Sequence, residues 1–345
     1  MQGNFFLGAD RDRKFEIREM SFGEPGKDEV LVEVRSCGIC GTDVHIYHGG
    51  AGSAPVNPPV VLGHEFAGIV VKAGKDVTNV KPGDHVTLDP NMYCGNCRPC
   101  KMGKKSNCEH LYALGVNTNG GFAEYCISPS AQCYKVNDEV DFDVAAMAEP
   151  LACVIHGIDR ADIHVGENVM IVGGGTIGLI MAQLAKLSGA ARVIVSEPVI
   201  ERHKYAEMIG ADAVIDPVHE DISMRIREIC GTDGVDVVID CVGKVQSSEQ
   251  AFQAAGPGAT VMFFGVPDVD AKMQLPLFDI YKKELKIIGS IINPDTHQRA
   301  VEMINSGRLK LKELITHVYD LEHLEDAINM QASSESVKVV VHPGK

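Results

Sequence analysis

The segment VMIVGGGTIG, residues 169–178, runs from an apolar stretch into the start of an amphipathic one and holds the pattern G-x-G-x-x-G. This pattern between a strand and a helix is typical of dinucleotide-binding units. Gly173 permits the tight turn, Gly175 lets the backbone approach a pyrophosphate, and Gly178 allows close packing of helix on strand. A glycine turn that binds nothing is the alternative. The predicted cofactor contacts at this turn are Gly173, Gly175, Thr176, Ile177 and Gly178.

A carboxylate follows the apolar run at 192–196, the second predicted strand. Glu197 stands nineteen residues after Gly178, where an acidic side chain holds the ribose 2′-hydroxyl of NAD and repels the additional phosphate of NADP. The sequence therefore predicts NAD. Arg202 is placed to stack near the adenine edge or to accept a phosphate, and an ordinary surface arginine is the alternative.

Around this segment, apolar strands alternate with amphipathic helices from residue 169 onwards. Such alternation predicts a doubly wound, parallel six-stranded sheet of the Rossmann type. The predicted strands are 169–172, 192–196, 213–215, 235–240, 260–264 and 285–292.

The residues before 150 form short β-like runs separated by turn dipeptides, which predicts an antiparallel barrel or sandwich. The runs include 30–34, 66–72, 85–88 and 122–127. After Pro294 come two predicted helices, 297–305 and 321–331, and a last strand, 337–341. This tail is too short to fold alone. We therefore predict an α/β protein with a β-rich domain, 1–152 completed by 294–345, and a nucleotide-binding domain, 153–293.

The chain has 345 residues, 45% of them apolar, and a formal charge of −15 without a block of Lys or Arg. Nucleic acids and anionic membranes require clustered positive charge, so we expect small molecules or further copies of the chain as partners. The first residues lack the basic segment followed by an apolar segment that is typical of a signal peptide. The longest apolar window, 169–185, is interrupted by glycines, which argues against a transmembrane helix. We expect a cytoplasmic protein whose eleven cysteines are metal ligands or reduced thiols.

Four cysteines stand close together in YCGNCRPCKMGKKSNCE, residues 93–109. Their spacing predicts a closed, tetrahedral, structural Zn²⁺ site. An iron–sulfur cluster, disulfides and incidental cysteines are the alternatives, although a ferredoxin pattern has its fourth cysteine sooner and followed by proline. The predicted ligands are Cys94, Cys97, Cys100 and Cys108.

A second metal site is suggested by CGICGTDVH at 37–45, GHE at 63–65 and Glu149 before Pro150. A thiolate, an imidazole and a carboxylate from separate segments make a three-ligand zinc site with an open fourth position. An ordinary turn pair at His64-Glu65 and a salt bridge of Glu149 are the alternatives. Because mixed donors are less selective than four thiolates, Fe²⁺, Co²⁺ and Mn²⁺ also stay open.

These motifs, together with AEPLA and VGGGTIG, occur in this order in the zinc-containing medium-chain alcohol dehydrogenase family. The chain resembles its polyol (sorbitol) and L-threonine dehydrogenase branch over essentially its full length. The resemblance implies a GroES-like catalytic domain formed by both chain ends, one catalytic and one structural zinc, and a dimer or tetramer. It also implies Cys40, rather than Cys37, as a catalytic ligand with His64 and Glu149, and Glu65 as a neighbouring carboxylate.

The resemblance further implies hydride transfer from a secondary alcohol to NAD. Thr42 corresponds to the hydroxyl that takes the alcohol proton, His45 to the outer relay base, and Asp43 to the carboxylate that orients the imidazole of His64. The plainer alternatives are a turn threonine, a surface histidine and a capping aspartate.

Two positions depart from the sorbitol-type pattern. Such relatives carry Tyr after the motif histidine and an Arg-Tyr pair later, where this chain has Ile46 and Ile292-Asn293. Losing hydroxyl-binding partners weakens a polyol site. We therefore predict a secondary alcohol in a small polar metabolite, polyol or sugar-like, without naming it. L-Threonine-type oxidation, a zinc-free reductase and a noncatalytic NAD-binding protein are the alternatives.

Overall fold

The computed structural model describes residues 1–12, 14–21, 23–50 and 55–344. The chain forms two compact units, one of residues 1–152 with 292–345 and one of residues 153–291. Within the described part of the chain, no helix is both long and apolar enough to cross a membrane.

The N-terminal segment consists of short strands with few helices, as its turn-rich sequence indicates. Its strands are β1 Gln2–Phe6, β2 Phe15–Glu19, β3 Glu29–Gly38, β4 Val60–Val61, β5 Glu65–Ala73, β6 His85–Leu88, β7 Asn91–Met92, β8 Tyr112–Ala113, β9 Tyr125–Pro129 and β10 Cys133–Lys135. Its helices are α1 Gly41–Tyr47, α2 Arg98–Lys101, α3 Phe142–Ala146 and α4 Ala148–Ala161. The strand predicted over 122–127 begins only at Tyr125.

The middle segment alternates strand and helix. Its strands are β11 Asn168–Val172, β12 Arg192–Ser196, β13 Ala213–Ile215, β14 Val235–Asp240, β15 Ala255–Phe263 and β16 Lys286–Gly289. Its helices are α5 Thr176–Leu187, α6 Ile200–Met208, α7 Ile222–Cys230, α8 Val245–Ala254 and α9 Leu277–Lys283. The six strands are all parallel, in the order β13-β12-β11-β14-β15-β16. The predicted doubly wound sheet is confirmed.

The strand predicted over 260–264 is longer than expected. It begins at Ala255, directly after α8, and pairs there with Val235. A Cβ at Gly234 would lie 2.4 Å from the backbone nitrogen of Gly256, so only glycine allows the two backbones to come this close. The additional pairing therefore depends on a glycine contact that apolar periodicity does not reveal.

The C-terminal segment belongs to the first unit. Its elements are α10 His297–Asn305, β17 Ile315–Asp320, α11 Leu324–Ala332 and β18 Lys338–His342. β17 was not predicted, because its sequence ITHVYD mixes polar and apolar residues. The helix predicted over 321–331 begins at Leu324, after a 3-10 turn.

The main sheet of the first unit has seven strands, in the order β10-β6-β5-β3-β18-β17, with β9 also paired to β3. β18 runs antiparallel to β3, with Val340 opposite Gly38 and Val341 opposite Cys37. The C-terminal strand thus lies beside the strand that leads into the first cysteine motif.

Candidate metal and nucleotide sites

Cys40 is fixed by the start of a helix. Strand β3 ends at Gly38, and Cys40 is the N-cap residue of α1, with an extended backbone. The buried Asp43 accepts a hydrogen bond from the Cys40 backbone nitrogen at 2.9 Å through Oδ2. This bond satisfies a donor that the helix leaves free and holds the thiol at the helix end.

His64 and Glu65 follow a forced turn before β5. Gly63 has φ +91, and a Cβ there would lie 2.8 Å from Cys37 Sγ and from a ring carbon of Phe122. A larger residue would therefore be excluded both by the backbone and by the packing. His64 is buried, and its Nδ1 lies 3.6 Å from Oδ1 of Asp43, which leaves Nε2 to a metal ion.

The structure brings three predicted residues together. One donor atom each of Cys40, His64 and Glu65 lies within 4.8 Å of the other two. Burial, and then Glu65, raise the pKa of the Cys40 thiol. Burial opposes the charged imidazole of His64, but Asp43 and Cys40 outweigh it and raise its pKa. Sulfur, nitrogen and oxygen donors in a buried site with acidic side chains fit a zinc ion.

Two other candidates lie outside this group. Cys37 is fully buried and is not among the three donors. Glu149 is also buried, in the first turn of α4, but its carboxylate does not meet the 4.8 Å separation from all three. Its part as a third zinc ligand remains a prediction.

Thr42 and His45, the predicted proton relay, both lie on α1 and are partly exposed. They are three positions apart, so they share one face of the helix. Asp43 faces the interior from the same helix and is completely buried. One short helix therefore carries both relay candidates and the carboxylate that faces His64.

Sequence reasoning missed one residue of this site. Lys338, on β18, is 2% exposed, and its ammonium donates a hydrogen bond to the Ile39 carbonyl at 2.9 Å and forms an ion pair with Glu65. The signal was present, since Lys338 interrupts the apolar run VKVVV at 337–341. A lysine inside a buried strand requires a charged partner.

The four predicted cysteine ligands also meet. Their sulfurs all lie within 4.8 Å of one another, and those of Cys97 and Cys108 are 4.0 Å apart. A tetrahedral zinc site with Zn–S bonds of about 2.3 Å places its sulfurs about 3.8 Å apart. An iron–sulfur cluster inserts several atoms between its cysteines and requires wider spacing. The geometry favours a single ion over a cluster.

Backbone donors support thiolates in this loop. The backbone nitrogens of Cys94 and His110 donate to Cys108 Sγ, and that of Cys97 donates to Cys94 Sγ, each at 3.4 Å. Burial, and then hydrogen bonds that the Cys100 thiol donates to Cys97 and Cys108, raise the pKa of Cys100 to about 12 when no cation is present. A bound cation reverses this, because it stabilises the thiolate directly.

The glycine turn of the second unit has the geometry of a nucleotide site. Gly173 has φ +104, and a Cβ on Gly178 would collide with the Gly173 carbonyl. A Cβ on Gly175 would meet no atom within 4 Å, so this side of the turn is open. Gly175, Thr176 and Ile177 are partly exposed at the start of α5, where free backbone amides favour a phosphate.

Glu197 lies beside this turn. Its two carboxylate oxygens accept hydrogen bonds from the backbone nitrogens of Gly174, at 2.6 Å, and Val199, at 2.8 Å. The carboxylate is therefore held in one orientation next to the glycine turn. Arg202, on α6, is partly exposed.

Comparison with known proteins identifies the family. Residues 26–138 match the family model of the alcohol dehydrogenase GroES-like domain, and residues 176–306 match that of zinc-binding dehydrogenases. The chain belongs to the zinc-containing medium-chain alcohol dehydrogenase family. The predicted resemblance and the GroES-like and Rossmann folds are thereby confirmed.

Three members of the family illustrate its range. The chain is 33% identical to D-arabinitol dehydrogenase 1 of Uromyces fabae, over 98% of this chain and 96% of the relative. It is 33% identical to L-threonine 3-dehydrogenase of Caldanaerobacter subterraneus subsp. tengcongensis, over 92% of each. A protein of Sinorhizobium meliloti 1021, described as a zinc-binding dehydrogenase and crystallised with NADP, superposes with a TM-score of 0.92 at 39% identity, over 99% of this chain and 100% of that one.

Replacing Cys97 by Ala tests the four-cysteine site. We expect the zinc content to fall from about two to about one per chain, because three thiolates hold the ion too weakly. The melting temperature should fall by about 5 to 10 °C, since metal binding is coupled to folding. Elemental analysis measures the zinc content, and thermal denaturation measures the melting temperature.

The matched control is Cys126→Ala, which removes a buried thiol outside both metal-binding groups. It should retain both ions. Stoichiometric iron in the wild type, or full zinc in the Cys97 variant, would contradict a structural zinc at this loop.

Proposed function

We propose that this dehydrogenase oxidises a secondary alcohol group of a small polar metabolite, polyol or sugar-like, and transfers the hydride to NAD. The observation that carries the proposal is the meeting of Cys40, His64 and Glu65 within 4.8 Å in a buried site. A zinc ion held there would supply a Lewis acid that lowers the pKa of the alcohol, and NAD would supply the hydride acceptor.

The residues of the first unit have distinct parts in this proposal. Cys40 and His64 hold the ion, with Glu149 as the third ligand and Glu65 beside them. Asp43 orients His64 through Nδ1, at 3.6 Å. A carboxylate behind a metal-binding imidazole fixes its orientation and makes it a better ligand.

The alcohol proton leaves by way of α1. The hydroxyl oxygen of Thr42 accepts this proton while the hydroxyl donates its own proton towards His45. The imidazole of His45 then passes a proton to solvent. Both side chains are partly exposed on one helical face, in keeping with a path from the site to water.

Glu197 supports NAD as the cofactor. Its carboxylate is buried and fixed by two backbone donors, so a 2′-phosphate brought beside it would meet a negative charge that cannot easily move away. The Sinorhizobium relative was crystallised with NADP, which makes the choice between the two cofactors worth measuring.

Neither position that differs from the sorbitol-type pattern offers a free hydroxyl-binding group. Ile46 is 2% exposed. Asn293 is fully buried, and its amide is hydrogen-bonded to Asn91 at 2.6 Å and to Asp89 at 3.3 Å. This favours a substrate with fewer recognised hydroxyls than sorbitol, and the match to an L-threonine 3-dehydrogenase keeps L-threonine as a second candidate.

The proposal is tested by following NADH absorbance with a panel of secondary alcohols, polyols and L-threonine. We expect turnover with at least one of them, and a loss of at least about 1,000-fold in kcat on Cys40→Ser, because the Lewis acid is lost. Cys37→Ser, which alters a buried thiol outside the cluster, is the matched control and should keep its activity. Equal activity of the two variants would refute Cys40 as a ligand.

Replacing Glu197 by Gln tests cofactor choice. The substitution removes the negative charge but keeps the shape, so the NADP-to-NAD ratio of kcat/KM should rise about tenfold, equivalent to about 1.4 kcal/mol. Glu201→Gln, on the exposed part of α6, is the control and should leave the ratio unchanged. Equal rates of the wild type with both cofactors would overturn the role of Glu197.

We further propose that the chain forms a homo-oligomer through its second unit. Strand β16 has one neighbour, β15, among the described residues. Close to it in the sequence, α9 exposes Phe278 (71%) and Tyr281 (79%). An open sheet edge with exposed apolar side chains suits antiparallel pairing with a second copy about a two-fold axis.

Sedimentation velocity tests this association. The wild type should sediment as a dimer or tetramer, and Phe278→Asp should shift it to smaller species, because the charge opposes burial. Val218→Asp changes a similarly exposed apolar residue after β13 and should have no effect. A monomeric wild type would contradict the proposal.

The free cysteines agree with a cytoplasmic location, which we also propose. All eleven cysteines are unpaired. A chain with this many reduced thiols and two groups of metal-binding side chains suits a reducing compartment.

A further inference from the structure

Lys338 is an unusual residue for its position. Of the described residues, it is the one lysine or arginine that is buried. Its ammonium has two partners, the Ile39 carbonyl at 2.9 Å and a carboxylate oxygen of Glu65. A buried ammonium without an anionic partner is strongly unfavourable, so this ion pair is a constraint on the site rather than an incidental surface contact.

The surrounding strands leave room for this pair. Gly38 is opposite Glu65 in β5 and opposite Val340 in β18, so it lies between the two strands that supply the pair. A Cβ on Gly38 would collide with the Glu65 carboxylate and lie 2.8 Å from Lys338 Cε. Glycine at this position is therefore required for the lysine to reach the carboxylate.

Glu65 has two possible cationic partners. It contacts the ammonium of Lys338, and it also lies within 4.8 Å of the donor atoms of Cys40 and His64. An ion held by those two side chains would attract the same carboxylate. Direct coordination by Glu65 would fill the position that the substrate requires.

We propose that Lys338 is a positioning residue that holds Glu65 on its ammonium and so keeps the carboxylate beside the ion rather than permanently bound to it. The inference rests on the proposed function, since it takes Cys40 and His64 as ligands of the catalytic ion. It gives the C-terminal strand a part in the chemistry, because β18 carries the ammonium.

The experiment uses full-length protein loaded with Co²⁺, whose visible absorbance is stronger in tetrahedral than in five-coordinate sites. The spectrum of Cys40→Ser, which retains the four-cysteine site, is subtracted. For Lys338→Met we expect the remaining absorbance to fall about twofold as Glu65 becomes an additional ligand. Release of Co²⁺ to a chelator should also slow about tenfold, because one more bond must break.

Four further variants isolate the cause. Lys338→Arg keeps a cation opposite Glu65 and should retain the wild-type spectrum. Lys338→Gln keeps a hydrogen-bond donor without the charge, and it should change the spectrum in the same way as Lys338→Met. If Lys338→Met fails to fold, Lys338→Gln therefore still tests the proposal. The double variant Lys338→Met with Glu65→Gln should match Glu65→Gln alone.

An unchanged spectrum in both neutral variants would overturn the proposal. So would a change that persists in the double variant, since it would not act through Glu65. If the wild-type spectrum equals that of Cys40→Ser, no ion binds at Cys40. The proposed function then fails, and this inference with it, before any lysine variant is compared.

Discussion

The metal-binding region of the first unit depends on one buried carboxylate. Asp43 is completely buried, yet it contacts two different chain segments, accepting a hydrogen bond from the Cys40 backbone and facing the His64 ring at 3.6 Å. A buried carboxylate is unfavourable unless it is paired. Its presence therefore favours the arrangement in which the thiol of one segment and the imidazole of the other lie next to each other.

Close backbone packing brings these segments together. Gly63 and Gly38 occupy places where a side chain would collide with neighbouring atoms, the first at the turn before His64 and the second between the strands that carry Glu65 and Lys338. The charged groups are thus held at short range by a sheet whose strands come from both ends of the chain. Strands and a helix cap support the site, and such supports position side chains more precisely than loops do.

Local patterns in the sequence were sufficient for much of this protein. The six strands of the nucleotide-binding unit were predictable because buried parallel strands are continuous apolar runs. The four cysteine ligands were predictable because they lie within a single loop, so their spacing already restricts their geometry. By contrast, β17 and the early start of β15 were missed, because mixed polarity and a glycine-to-glycine backbone contact leave no periodic signal.

The sequence by itself determined the family, the two kinds of fold, the cysteine loop and the glycine turn, since each depends on residues close together in the chain. The resemblance already implied Cys40 rather than Cys37, but only the tertiary structure showed that Cys40, His64 and Glu65 lie together and that Lys338 reaches Glu65 from β18. These contacts join residues up to 299 positions apart. Their geometry depends on strand pairing and on the space left by glycines, which no local pattern encodes.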